Sequence, residues 1–208
     1  MERDQFENLT RRLADRGGNR RTLLRLTAVL ALPGLHALGV PAARAAEVAD
    51  ARCPAPGDFH AYEKNSLAQT FKAQHTGRLT RATVYAISTS TPDSDDFQFE
   101  IRKTTRKGKP SAIVLASTIV NNIVRPSPGL TTEITANFAL PARVKKGNWY
   151  ALVITGLDGV PVAVQAKRGA GERSPNCPGT LFDDHNRDNT FIKDTSTDIV
   201  FATFVTKA

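Results

Sequence analysis

Only two of the 208 residues are cysteines, Cys53 and Cys177, and they stand 177 − 53 = 124 positions apart. That scarcity excludes a disulfide-dense scaffold. With no C-x-x-C spacing, the pair reads as one disulfide, with a metal or redox pair as the alternative. Methionine and tryptophan occur once each and histidine four times. No G-x-S-x-G elbow is present, so the nucleophile arrangement of α/β-hydrolases is excluded. His60, His75 and His185 lie far apart in the sequence and none belongs to a recognisable nucleophile–base pair. Long apolar runs are missing as well. The stretch from Leu26 to Val40 is interrupted by Pro33, Gly34, His36 and Gly39, and it falls short of the roughly 20 residues that a membrane span needs. No long helical period follows it.

What remains is an ordinary globular composition with 40% apolar and 23% charged residues, too apolar for wholesale disorder. The net charge of +8 suggests a nucleic-acid partner only until it is divided along the chain. Residues 1–46 hold eight Arg against four acids, a net of +4, which leaves 20 basic against 16 acidic residues in the remainder, again +4. A surface that mildly basic attracts anionic polymers weakly and specifies no nucleic acid.

The first of those two parts reads as an address. Arg20 and Arg21, followed by Thr22-Leu23-Leu24-Arg25, resemble the twin-arginine export motif. They depart from it in lacking the initial Ser or Thr and the Phe at its fifth place. The short apolar stretch and the small residues Ala43 and Ala45 complete a signal peptide cleaved after Ala45. An uncleaved N-terminal anchor is the alternative. The resemblance implies a bacterial chain handled by the twin-arginine export machinery and a secreted or cell-envelope location. The expected organisation is a signal over 1–45, an N-terminal arm over 46–64 and one β-domain over 65–208, with no transmembrane span in the mature chain.

Beyond Ala46 the punctuation is that of a sandwich or barrel, short β-rich runs separated by Gly, Pro, Asn and Asp. Phe97-Gln98-Phe99-Glu100-Ile101-Arg102 alternates apolar and polar residues without a break, which predicts one buried and one wet face. Further strands are expected over Gln69 to His75, Leu79 to Ser88, Ile113 to Val120, Thr131 to Phe138, Trp149 to Thr155, Val160 to Ala166 and Ile199 to Thr206. About eight strands would form two sheets. Gln69-Thr70-Phe71-Lys72-Ala73 with Gly77-Arg78-Leu79, the run Val144 to Val153, and the closing Asp198 to Val205 are together similar to jelly-roll-like sandwich domains of exported bacterial proteins. That resemblance implies an all-β, jelly-roll-like sandwich serving as an accessory or surface-binding module, with an immunoglobulin-like strand order as the alternative. It carries over no catalytic residues.

Four constellations are candidates for chemistry. Asp184, Asn186 and Asp188 stand at alternate positions, as calcium ligands do. Asn189 where Gly is needed and Thr195 where Glu is needed exclude a full helix-loop-helix site. A looser calcium site completed by Asp194 or Asp198 is one reading, and a turn whose side chains cap their own backbone is the other. Asp93, Asp95 and Asp96 read as a solvated acidic loop or as paired catalytic carboxylates. Lys103, Arg106, Lys107 and Lys109, on an expected hairpin end, suit an anionic polymer or simply guard a sheet edge. Trp149 and Tyr150 are adjacent on a strand and point to opposite faces. With Tyr150, Leu152 and Ile154 facing the core, Trp149 is free to stack on a sugar ring or to be covered by a loop. A neutral sugar would pair Trp149 with the Asp184 loop, and an acidic polymer would use the basic hairpin. The functional expectation is a non-enzymatic binding or surface-accessory domain for glycan or cell-envelope polymer. The alternatives are a secreted hydrolase and a purely structural surface protein, with calcium the only candidate cofactor.

Overall fold

The computed structural model describes residues 46–54, 60–87, 94–124, 127, 130–157, 161–168, 177, 179–184, 186 and 188–207. The export motif with Arg20 and Arg21, and also Asp93 and His185, lie outside them. The described residues contain no helix. They form thirteen strands: β1 Glu47–Cys53, β2 His60–Lys64, β3 Ser66–Lys72, β4 Gly77–Ile87, β5 Ser94–Thr104, β6 Pro110–Val124, β7 Thr131–Val144, β8 Trp149–Gly156, β9 Val162–Arg168, β10 Leu181–Asp184, β11 Ile192–Asp194, β12 Thr197–Ile199 and β13 Phe201–Lys207.

All pairings are antiparallel. One sheet runs β1-β13-β4-β9-β12, with β2 added on β9 and β7 on β4. The other runs β11-β10-β3-β8-β5-β6. Within a sheet the chain makes the β5–β6, β10–β11 and β12–β13 connections, and from β2 onward each of the others crosses to the opposite sheet. This is the jelly-roll-like habit of a sandwich.

Each of the eight expected strands is found. The last is divided at Val200 into β12 and β13. The stretch 46–64 is more than an arm. β1 pairs with β13, from Glu47↔Thr206 to Cys53↔Phe201, and β2 pairs with β9.

The period-2 rule accounts for the core between the sheets. Phe97, Phe99 and Ile101 of β5, Leu67 and Phe71 of β3, and Leu152 and Ile154 of β8 are all buried there, against Leu79 and Val84 of β4 and Phe201 of β13. Phe71 lies 6.0 Å from Phe201 and 6.1 Å from Tyr150, ring centre to ring centre. Polar residues enter this layer too, Thr203 of β13 and Gln69 of β3 among them. Gln69 of β3 is 0% exposed; its amide donates to Asp198 Oδ1 at 2.9 Å and its carbonyl accepts from the Ile199 amide at 3.1 Å, so β3 is tied to β12 across the sandwich.

The outer face of the six-stranded sheet is less wet than the alternation predicts. Ala68, Ala151, Val153 and Phe182 form a second apolar cluster closed by Phe191. Glu100 is buried too, and its carboxylate accepts from Arg102 Nε at 2.7 Å and from Arg102 Nη2. Cys53 and Cys177 form a disulfide with Cα atoms 4.4 Å apart, joining the end of β1 to the segment that leads into β10.

Candidate ligand-binding cleft

The cleft lies where the β5–β6 hairpin meets the start of β8. The Thr105 amide donates to the Lys109 carbonyl at 2.7 Å, and the Gly108 amide returns to the Thr105 carbonyl at 2.9 Å. Gly108 at φ +78° supplies the left-handed turn that closes the loop. Arg106, Lys107 and Lys109 are thereby presented to solvent. The hairpin is fixed to β8 by Thr104 Oγ1, which donates to the Trp149 carbonyl at 3.3 Å.

Trp149 enters β8 from a turn in which Gly147 has φ +85°. Tyr150 points inward, where its hydroxyl accepts from the Lys145 amide at 2.9 Å, so Trp149 faces outward and is 42% exposed. On the far side, Thr70 and Thr180 are locked together. The Thr70 amide and Oγ1 both donate to the Thr180 carbonyl, at 3.0 and 3.1 Å, and the Thr180 amide donates back to Thr70 Oγ1 at 2.8 Å. Gly179, at φ +142°, makes this approach feasible, since a Cβ there would stand 1.7 Å from the Thr70 carbonyl oxygen. Phe182 and Lys193 complete a cleft of about 350 Å³, at the small end of the roughly 300–1,000 Å³ of ligand sites.

Arg106, Lys107, Lys109 and Trp149, which are separate candidates in the sequence, therefore line one cleft. Lys103 does not line it. Lys193 gave no sequence signal, being one cation in a short polar run, and reaches the cleft because β11 pairs with β10 at Phe182↔Lys193.

The Asp184 loop is not part of this site, contrary to the expected pairing of Trp149 with it. Trp149 lies opposite Lys72 at one end of β3, and Asp184 opposite Ser66 at the other. Six residues of strand, roughly 20 Å, separate the two levels. The Asp184 carboxylate is buried and accepts from its own loop, Oδ1 from the Asn186 amide at 3.2 Å and Oδ2 from the Asn189 amide at 2.7 Å. Asp188 Oδ1 accepts from the Thr190 amide at 2.8 Å. Hydrogen bonds from Thr190, side chain and amide, hold the Asp188 carboxyl below the usual range. These are the bonds of a self-capped turn. Among the described residues, no group of three His, Cys, Asp or Glu side chains is placed to hold a metal ion.

Asp194 and Asp198, considered as further calcium ligands, are engaged elsewhere. Tyr62, missed in the sequence, donates from its hydroxyl to Asp194 Oδ2 at 2.8 Å and to Asp183 Oδ2 at 3.2 Å. Burial, reinforced by these two carboxylates, drives the phenol far above its ordinary pKa and keeps it protonated. Burial also pushes Asp194 upward, but the Ser196 amide and the hydroxyls of Tyr62, Ser196 and Thr197 more than offset it, and the carboxyl lies below its usual range. The Asp198 carboxyl is pushed up to about 6 by burial and by the charge of Asp194, against the opposing pull of Gln69 and Lys167.

The remaining acid–base candidates are structural in their contacts. Asp95 and Asp96 belong to β5 instead of a solvated loop; Asp95 is buried, and Asp96 Oδ1 accepts from the Asn122 amide at 2.8 Å. His75 Nδ1 sits 3.2 Å from Asp50 Oδ1, which also accepts from the amides of Gln74 and His75.

No family model and no curated protein matches the chain. Among solved structures it is similar to the cysteine protease and lectin-like domains of Cwp84, a surface layer associated protein of Clostridium difficile, with 12% identity and a TM-score of 0.47 over 74% of this chain and 37% of that one. It is also similar to a clostridial cysteine protease Cwp84 after propeptide cleavage, with 11% identity and a TM-score of 0.46 over 74% of this chain and 41% of that one. The chain thus spans well under half the length of either. The sandwich assignment rests on the strand pairing described above.

Proposed function

We propose that this is an exported, non-enzymatic binding or surface-accessory domain whose ligand, a glycan or an anionic cell-envelope polymer, lies against Trp149. The observation that carries the reading is the meeting of one exposed aromatic ring with Arg106, Lys107 and Lys109 in a single cleft. Indole faces stack on the apolar faces of rings, and exposed cations draw in acidic groups. Among the described residues that line the cleft there is no carboxylate, imidazole or thiol to move a proton, which favours binding over hydrolysis. Export is supported by the Arg20-Arg21 motif and by the buried disulfide, since such bonds persist in oxidising compartments.

A glycan and cell-wall polymer array probed with the exported chain tests the binding reading. Retention that falls with Trp149→Ala, or with Arg106, Lys107 and Lys109 changed together to Ser, is the expected result. Turnover in a hydrolase screen, or retention of nothing, would leave the enzyme or the purely structural reading in its place. Replacing Arg20 and Arg21 with Lys should abolish export, and unchanged secretion would remove the twin-arginine assignment.

A further inference from the structure

Taking the binding reading above as its basis, we infer that the cleft takes a chain of acidic sugars, in preference to a neutral glycan or a single acidic sugar.

The first support is the chemistry of the lining. Arg106, Lys107, Lys109 and Lys193 are exposed and are donors only. The Thr70 hydroxyl is already engaged with Thr180 in both directions. Among the described residues of the lining there is no carboxylate or carboxamide. A neutral sugar presents hydroxyls that need acceptors as well as donors, and the side-chain acceptors of this lining are threonine hydroxyls alone, set against four cationic donors. Carboxylate or phosphate oxygens, which only accept, match it. Trp149 adds a demand that charge alone does not make, an apolar ring face on the same ligand.

The second support is the spacing. The strands run β11-β10-β3-β8-β5 across the cleft, with Lys193 on the first, Trp149 on β8, and the basic hairpin following the last. Four inter-strand steps of about 4.8 Å set the backbones of β11 and β5 roughly 19 Å apart, with the strand that carries the indole between them. No single sugar ring covers that distance. A chain reaches both ends at once, and each contact raises the effective concentration for the next.

The anionic group can be a uronate carboxylate or a phosphate carried between sugars, so both are tested. Single-stranded DNA also combines charge with stacking rings; the disulfide of an oxidising compartment favours the saccharide.

The test measures binding of the disulfide-intact chain to polygalacturonate, a glycosylated teichoic acid, galacturonate monomer, dextran, poly-L-glutamate and single-stranded DNA. One of the first two should bind, weakening roughly tenfold or more as salt rises past the point where screening reaches about 3 Å. Trp149→Ala should cost about tenfold or more, and Lys193→Ser a few-fold. Both residues are exposed, and unchanged thermal midpoints would show that the variants fold. Dextran held as tightly as the acidic polymers, with no salt effect, would overturn the inference and leave the binding reading standing. Equal affinity for galacturonate and its polymer would overturn the span. Preference for poly-L-glutamate or DNA would overturn the sugar. Failure of every probe and of the full array would remove the binding reading itself.

Discussion

Replacing Gln69 by Leu should weaken the domain out of proportion to the size of the change. Gln69 is a polar tie between the sheets, and two of its side-chain hydrogen bonds end on β12. Leu would fill most of the space but leave the Ile199 amide without its partner at a residue that is 0% exposed. A stranded buried donor costs about 1–3 kcal/mol, and a charge-assisted bond such as that to Asp198 contributes about 1.5–3 kcal/mol. Burying the Leu side chain returns roughly 1.5–3 kcal/mol. The net loss is therefore about 2 kcal/mol, which lowers the melting temperature by about 4–8 °C in a domain of this size.

Gln69→Glu separates the lost tie from lost packing. It keeps the shape but sets a second carboxylate against Asp198, whose own carboxyl is already pushed up to about 6. An acid whose pKa is raised on folding costs stability as pH rises from its unfolded value through its folded one. The Glu variant should therefore lose more at neutral pH than at about pH 5, where Asp198 holds a proton. Calorimetry or urea unfolding at both pH values reads the difference. A Leu variant within about 0.5 kcal/mol of the parent, or a Glu variant indifferent to pH, would refute the role given to this residue.

Four further outcomes are expected. Changing Cys53 and Cys177 together to Ser should cost about 4–5 kcal/mol, because the bridge closes a separation of 124 residues; a midpoint unmoved by the double change would contradict this. Asp198→Asn should stabilise above pH 6 and change nothing below about pH 4, the sign being set by a folded pKa raised to about 6, and melts across that range would expose a wrong sign. Gly179→Ala should destabilise by more than about 2 kcal/mol, since its Cβ would meet the Thr70 carbonyl, and a neutral effect in denaturant titration would show that the β3 contact yields. A calcium chelator should leave the thermal midpoint where it is, because the oxygens of Asp184 are spent on its own loop; a fall would restore the calcium reading.

The long strands were legible because burial on one face imposes a period of two, as in Phe97, Phe99 and Ile101. β10 was not, because Leu181-Phe182-Asp183-Asp184 reads as a polar loop entry. It is a strand buried on both sides, with Phe182 covered by Phe191 and Asp183 accepting from Tyr62. β1 was obscured by Asp50 and Arg52 and by a register shift between Ala49 and Arg52, and β11 and β12 are only three residues each. The cleft was half legible. Residue type marked Trp149 and the basic hairpin, but their meeting depends on β5 pairing with β8 through Lys103↔Tyr150. Such a contact is fixed by the register of distant strands and leaves no local trace.

The pairing of β1 with β13 also sets a timetable. Glu47 finds its partner at Thr206 and Cys53 at Phe201, so the opening strand of the domain has nowhere to dock until its closing strand has been made. β13 is in turn the bridge from β1 to β4, through Phe201↔Val84. A nascent chain lacking those last residues would hold β3, β5, β6 and β8 ready to pair, while one border of the opposite sheet stayed open. Pairings this remote in sequence are slow to form, because the whole intervening loop must be closed before any contact compensates for it. The disulfide between Cys53 and Cys177 shortens that search: once formed, it holds the end of β1 near the place where β13 will arrive, so oxidation should speed the final step of folding as well as secure its product.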